Sequence, residues 1–178
     1  CMLKGAAHGS PPFPLRVTCA IIDGVAAGLA GAHESTIARG VARAIVHRDV
    51  SPSNLMVTYD GRAKIVDFGL AEAMDQDRPP EPGRVRGRLC YASPEQLMGR
   101  AADHRADLFA LGVVAWEMLT SRQLFRGSNE GAIIRNVLER HIPPPSLYNP
   151  DVEPELDQIV LALLRRVVRT RLRYSRRH

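Results

Sequence analysis

The run His47-Arg48-Asp49-Val50-Ser51-Pro52-Ser53-Asn54 and, thirteen residues after Asn54, the triplet Asp67-Phe68-Gly69 set two carboxylates and a carboxamide where chemistry is possible. A loop carboxylate such as Asp49 can orient a hydroxyl and accept its proton. The uncharged amide oxygen of Asn54 and the carboxylate of Asp67 are hard oxygen donors of the kind Mg²⁺ takes. A base beside a divalent cation is equipment for phosphoryl transfer, in which an acceptor hydroxyl is held in line and metal ions neutralise charge on the phosphates. No second centre competes with this one. Cys1, Cys19 and Cys90 form no C-x-x-C pair, and His8, His33, His104, His141 and His178 are scattered, reading as surface or helix-end residues rather than ligands.

These residues need a scaffold, and the hydrophobic periods supply one. After the Pro11-Pro12-Phe13-Pro14 hinge, Val17, Ile21, Ile22, Val25 and Leu29 recur at three- and four-residue spacing and predict a helix over 15–33. Residues 34–44 lack a period, contain Gly40 and read as a loop leading to Ala44-Ile45-Val46. Residues 54–58 and 63–66 flank a Tyr59-Asp60-Gly61 turn and predict a small β-hairpin. Residues 71–88, rich in Pro, Arg and acids, read as an irregular surface segment. From Leu108 to Leu119 only Glu117 is strongly polar, so that helix is apolar all round and buried, with Trp116 a core residue. A short surface helix over 132–140 ends at Pro143-Pro144-Pro145, and Leu156, Ile159, Val160, Leu163 and Leu164 define an amphipathic helix over 154–166.

With 178 residues the chain is sized for one domain. Its net charge of +5 is no signature of a nucleic-acid binder: residues 165–178 hold seven Arg and no acid, whereas residues 1–164 hold 17 basic against 19 acidic groups. Such a run reads as a solvated end. The cysteine usage fits a reducing, cytoplasmic setting. No signal peptide or membrane span is expected, since the least polar stretch, 17–32, is short and contains Asp23.

Taken together, H-R-D-x-x-x-x-N, D-F-G, Ser93-Pro94-Glu95 and Asp107-Leu-Phe-Ala-Leu-Gly112 resemble, in order, the catalytic loop, metal-binding triplet, A-P-E element and central-helix start of protein kinases. The wording H-R-D-V-S-P-S-N-L-M-V and Y-A-S-P-E-Q-L is most similar to eukaryotic-like serine/threonine kinases of bacteria. The resemblance implies a mainly α fold within the α+β class: a kinase C-terminal lobe with one β-hairpin and no N-terminal lobe. It divides the chain into a linker or helix end (1–14), the lobe (15–174) and a basic tail (175–178). It implies Asp49 as catalytic base, Asn54 and Asp67 as ligands of Mg²⁺ and ATP, and a protein substrate, with no nucleic-acid partner. His47 is then structural, packing on Phe68, while Asp107 holds the catalytic loop from below. Ser53, where tyrosine kinases show Arg, favours Ser/Thr specificity, and the 29 residues from Asp67 to Glu95 favour protein over small-molecule substrates.

The departures matter as much. Nothing before His47 resembles a glycine-rich loop, a V-A-I-K lysine or its helix Glu, so the expected unit is part of a kinase domain, inactive alone and prone to self-association through the face a missing lobe would cover. A non-catalytic fragment or pseudokinase acting as an interaction module is the alternative. Ser51 stands where the family has the lysine aimed at the γ-phosphate, and Arg88 where it has a threonine, so the catalytic set is read as Asp49, Ser51 and Arg88, with Arg88 replacing the missing cation. Arg48, which in the family often binds a phosphorylated activation loop, is followed by a segment with no Ser, Thr or Tyr, and either pairs with a fixed carboxylate, with Asp75, Asp77 and Glu81 as candidates, or stays a solvated structural residue. The stretch after Arg166 lacks the family's Asp-Pro turn, yet Arg171 can still reach Glu95.

Overall fold

A computed structural model describes residues 13–34, 36–37, 41–42, 45–68 and 89–171. The expected 71–88 segment, Gly69, Arg88 and the candidate acids Asp75, Asp77 and Glu81 lie outside the described residues, as do residues 1–12 and the 175–178 tail. The elements are α1 (Leu15–Glu34), β1 (Thr36–Ile37), β2 (Val41–Ala42), β3 (Leu55–Val57), β4 (Ala63–Ile65), α2 (Pro94–Leu97), α3 (Arg105–Thr120), α4 (Glu130–Glu139) and α5 (Pro154–Leu163).

Helix α3 organises the rest. Its apolar circumference leaves no face for water, and fourteen of its residues are buried, Trp116 among them. One side packs Phe109, Val113 and Trp116 with Phe125, Val137, Val152 and Val160. The other packs Leu111, Val114 and Met118 with Val25 and Leu29 of α1 and with Val50 and Leu55 beside the hairpin. Each fully buried side chain of this kind contributes about 1.5–3 kcal/mol. Gly112 permits a close approach: a Cβ there would lie 2.8 Å from Leu163 Cβ and 3.1 Å from Leu164 Cγ, so α3 and α5 meet through glycine. Although α1 is long and apolar enough to cross a membrane by length and composition alone, its Thr18, Ile21, Val25 and Leu29 are buried and it packs on α3 and β4.

The predicted hairpin forms, with Leu55 opposite Ile65, Met56 opposite Lys64 and Val57 opposite Ala63, antiparallel. Its turn closes through Thr58 N–H to Arg62 O and Gly61 N–H to Thr58 O, both 2.9 Å, and Gly61 takes φ +80°, where a side chain would be strained. It is not the only sheet. Within the stretch read as a loop, Thr36 and Ile37 pair antiparallel with Ala42 and Val41, a ladder too short for any two-residue alternation to announce it.

The helix boundaries shift for identifiable reasons. Helix α4 begins at Glu130, two residues before the apolar pattern, because Asn129 Oδ1 accepts the Ala132 N–H at 2.9 Å and caps it. Helix α5 stops at Leu163, short of Arg166, whose guanidinium turns back to donate to the carbonyls of Val137 (2.7 Å) and Arg140 at the end of α4. A cation among the unpaired carbonyls of a helix C-terminus is favourably placed. The basic run is therefore not simply solvated, since Arg171 is also buried, at 2% exposure.

Candidate active site

The catalytic loop is suspended from α3. Asp107, in the first turn of that helix and 1% exposed, accepts the His47 N–H on Oδ2 at 2.8 Å and the Arg48 N–H on Oδ1 at 2.7 Å. Two adjacent amides gripped by one carboxylate leave the chain little choice of path, and Arg48 takes φ +66°, a left-handed conformation costly for a residue with a long side chain. His47, wholly buried, packs against Phe68 with ring centroids 4.5 Å apart and planes tilted by 58°, as expected. Its Nε2 donates to Val66 O at 3.1 Å while its Nδ1 accepts the Asp49 N–H at 3.3 Å, so one imidazole ties the loop to the strand end that carries Asp67. A second tie runs beside it: Val66 N–H donates to Asn54 O at 2.9 Å. Asp67 itself is exposed, at φ +68°.

Asn54 is where the expected residues come together. It is 8% exposed, and its Nδ2 donates to the main-chain oxygen of Asp49 at 2.8 Å and to Asp49 Oδ2 at 3.0 Å. That fixes the amide so that Oδ1 points away from Asp49, and no donor among the described residues reaches it. An oriented amide oxygen and an exposed carboxylate form a donor set that fits a hard divalent cation. Ser51 does not join them. It is fully buried, and its hydroxyl contacts that of Ser53 at 2.9 Å, shaping the Pro52–Asn54 turn rather than facing a phosphate.

The segment after the triplet re-enters at Leu89 and is anchored on both sides. Tyr91 OH donates to Glu117 Oε2 at 2.8 Å, and the Leu124 N–H donates to Oε1 at 3.1 Å. Burial raises the pKa of this carboxyl in spite of those two bonds. Gln96 accepts the Ser93 N–H at 2.9 Å, opening α2, and its Nε2 reaches Arg48 O at 3.2 Å, so α2 is tied directly to the catalytic loop. Arg48 Nε is buried with no hydrogen-bond partner among the described residues.

Behind α2 lies the expected Glu95–Arg171 pair, formed without the Asp-Pro turn. Arg171 donates through Nη1 and Nη2 to the two carboxylate oxygens of Glu95, at 2.7 and 3.1 Å, lies over the Phe109 ring at 5.0 Å, and caps the carbonyls of Arg165 and Arg105. What the sequence reading missed is His33. It is a helix-end residue, in the last turn of α1, but no surface one: its side chain is 5% exposed and its Nε2 sits 2.8 Å from Asp107 Oδ2. Nothing local announces that contact, since its partner lies 74 residues away.

Comparison with known proteins bears on the whole arrangement. Residues 7–176 match the family model described as protein kinase domain. The chain is 41% identical over 148 residues to tyrosine-protein kinase MasK of Myxococcus xanthus, covering 83% of this chain and 23% of that protein. Serine/threonine-protein kinase PknL of Mycobacterium tuberculosis is 34% identical over 149 residues, 84% of this chain and 35% of its own length. PrkC of Bacillus subtilis, also a serine/threonine-protein kinase, is 33% identical over 159 residues, 89% and 23% of the respective lengths. The chain thus spans about a quarter to a third of these relatives. A match running through the Asp107-held loop, the hairpin and the Arg171 corner makes this chain a member of the protein kinase family.

Proposed function

We propose that this chain is the substrate-side lobe of a serine/threonine protein kinase that transfers the γ-phosphate of ATP to a Ser or Thr hydroxyl of a protein. The observation that carries this reading is the Asn54 amide, whose nitrogen binds Asp49 twice and whose oxygen meets no donor among the described residues. Asp49 keeps Oδ1 for the acceptor hydroxyl and its proton, while Asn54 Oδ1 and Asp67 hold Mg²⁺, which when bound neutralises charge on the phosphates. With Ser51 buried, the cation for the transferring group is assigned to Arg88. Ser53 before Asn54 favours Ser/Thr over Tyr acceptors, although one relative is named a tyrosine kinase.

The test compares the chain alone with the chain joined to a nucleotide-binding N-terminal lobe, offered ATP, Mg²⁺ and Ser, Thr and Tyr peptides. Alone it has negligible activity, because positioning the phosphates needs both lobes. Joined, it phosphorylates Ser and Thr, and Asp49→Asn lowers kcat by roughly 10²–10⁴-fold. Arg88→Ala lowers kcat far more than Arg86→Ala; equal effects remove Arg88 from the catalytic set. No phosphorylation in the joined protein leaves the non-catalytic interaction module as the better account. Self-association of the isolated lobe, to which the exposed apolar side chains of Met56 and Val57 on β3 contribute, is measured by light scattering.

A further inference from the structure

The left-handed residue of the catalytic loop is held on both sides, and its two holders come from different helices. Arg48, at φ +66°, sits between two planar peptide units. The unit before it is fixed by α3, through the Arg48 N–H on Asp107 Oδ1 at 2.7 Å. The unit after it joins Arg48 to Asp49. Its N–H donates to His47 Nδ1 over a long 3.3 Å, and its carbonyl accepts from Gln96 Nε2 at 3.2 Å. Turning a peptide plane over changes ψ of one residue and φ of the next together while the Cα atoms stay nearly in place. Here the second residue is Asp49, so the orientation of this plane sets the direction in which the Asp49 side chain leaves the backbone. A left-handed Arg is disfavoured on its own, so the arrangement lasts only as long as its ties. The His47 tie belongs to the loop and moves with it. The Gln96 tie arrives from α2, 48 residues further along the chain.

The Gln96 amide can face only one way. Its Oε1 accepts both the Ser93 N–H at 2.9 Å and the Ser93 hydroxyl at 3.0 Å. With the oxygen fixed by two donors, the nitrogen is left facing the loop. Its base is firm, since Ser93 is fully buried and Glu95, next to Gln96, is held by both Nη atoms of Arg171. Gln96 thus carries the anchorage of α2 to the carbonyl of Arg48.

We propose that Gln96 is a positioning residue for Asp49: by donating Nε2–H to the Arg48 carbonyl it fixes the peptide plane that precedes Asp49, and so makes the direction of that carboxylate depend on the seating of α2. It touches no substrate. That Asp49 is the base rests on the function proposed above; that Gln96 sets its backbone does not.

Two substitutions separate this role from the capping of α2. Gln96→Glu keeps an acceptor for Ser93 and removes the donor to Arg48, whereas Gln96→Met removes both. Backbone ¹⁵N relaxation dispersion on the 178-residue chain reads the plane directly, because it detects minor conformers of the folded state that exchange in microseconds to milliseconds. In Gln96→Glu the turned-over plane gains roughly two- to tenfold in population, the scale of one hydrogen bond. The Arg48 and Asp49 amides then shift and broaden, while Ser93 and the middle of α3 match the wild type. Gln96→Met does the same at Arg48 and Asp49 and also disturbs Ser93; being neutral, it supplies the result if the added charge of Gln96→Glu prevents folding. Arg48 and Asp49 resonances unchanged in the folded variants, or broadening spread equally along α3, overturns the proposal. In the lobe-restored kinase, Gln96→Glu lowers kcat and leaves the peptide KM unchanged; a loss confined to KM overturns the positioning role. Absence of any kinase activity in the unsubstituted protein counts against the proposed function alone, since the resonances are read without it.

Discussion

Replacing Arg171 with methionine removes a guanidinium that is 2% exposed while leaving the Glu95 carboxylate, 4% exposed, with no cation. Both carboxylate oxygens lose a donor, at 2.7 and 3.1 Å, and the carbonyls of Arg165 and Arg105 lose theirs. Breaking a buried ion pair from one side costs about 3–5 kcal/mol, chiefly the burden of the stranded charge. The cation over the Phe109 ring adds about 0.5–2 kcal/mol, while methionine keeps much of the apolar stem contact. The expected loss is therefore about 4–6 kcal/mol, a large part of the roughly 5–15 kcal/mol that holds a domain folded. Urea unfolding followed by circular dichroism measures it, and Tm falls by roughly 10–20 °C. If the charge left behind is the cause, Glu95→Leu added to Arg171→Met recovers about 2 kcal/mol or more. A single-variant loss below about 1 kcal/mol, or a double variant as unstable as the sum of its parts, refutes the reasoning.

Gly112→Ala forces a methyl to 2.8 Å from Leu163 Cβ and costs about 1–3 kcal/mol by overpacking, less the helical gain of alanine, whereas Gly131→Ala, whose nearest neighbour is 3.5 Å away, is neutral or stabilising; urea midpoints of the two variants distinguish them. Burial, joined by the charges of His33 and Arg105, lowers the His104 pKa against the pull of Asp103 and Asp107. The unfolded chain then binds that proton more readily, so stability is complete above about pH 6.5 and declines as pH falls towards the folded value. His104→Asn flattens this decline, and an equally steep slope in the variant rules His104 out as its source. Residues 68–90 contain no Ser, Thr or Tyr, so phosphatase treatment leaves the lobe-restored enzyme active and mass mapping of residues 67–95 finds no phosphate; activity lost together with a phosphate from that stretch shows a switched loop.

The residues that carry chemistry were legible because their types and spacing are local. Asp49, Asn54 and Asp67 lie within nineteen residues, and α3 declares itself by an unbroken apolar surface. The contacts that shape them are not local. His33 reads as an isolated histidine until α1 and α3 cross and bring it to Asp107. The β1–β2 ladder has two residues per strand, below the length at which alternation carries information, and α2, at four residues, is barely one turn, too short for an apolar spacing to repeat. The surroundings of Ser51 were not legible for a different reason. Its position relative to Asp49 matches a lysine of the family, but a small hydroxyl in that place turns inward to Ser53 instead of outward. The arginines after residue 164 look like one solvated run in sequence because charge counts carry no direction, whereas Arg166 and Arg171 spend theirs on helix-end carbonyls and on Glu95.

The Asp107 clasp also dictates an order of assembly. His47 and Arg48 leave the ribosome 60 and 59 residues ahead of the carboxylate that shapes them. At roughly 5–20 residues per second that is about 3–12 s of synthesis during which the left-handed turn at Arg48 lacks the carboxylate that holds its amide. The loop that bears Asp49 is thus formed retroactively, when α3 emerges and packs. A nascent chain arrested before residue 107 carries every residue of the H-R-D-x-x-x-x-N run without its geometry.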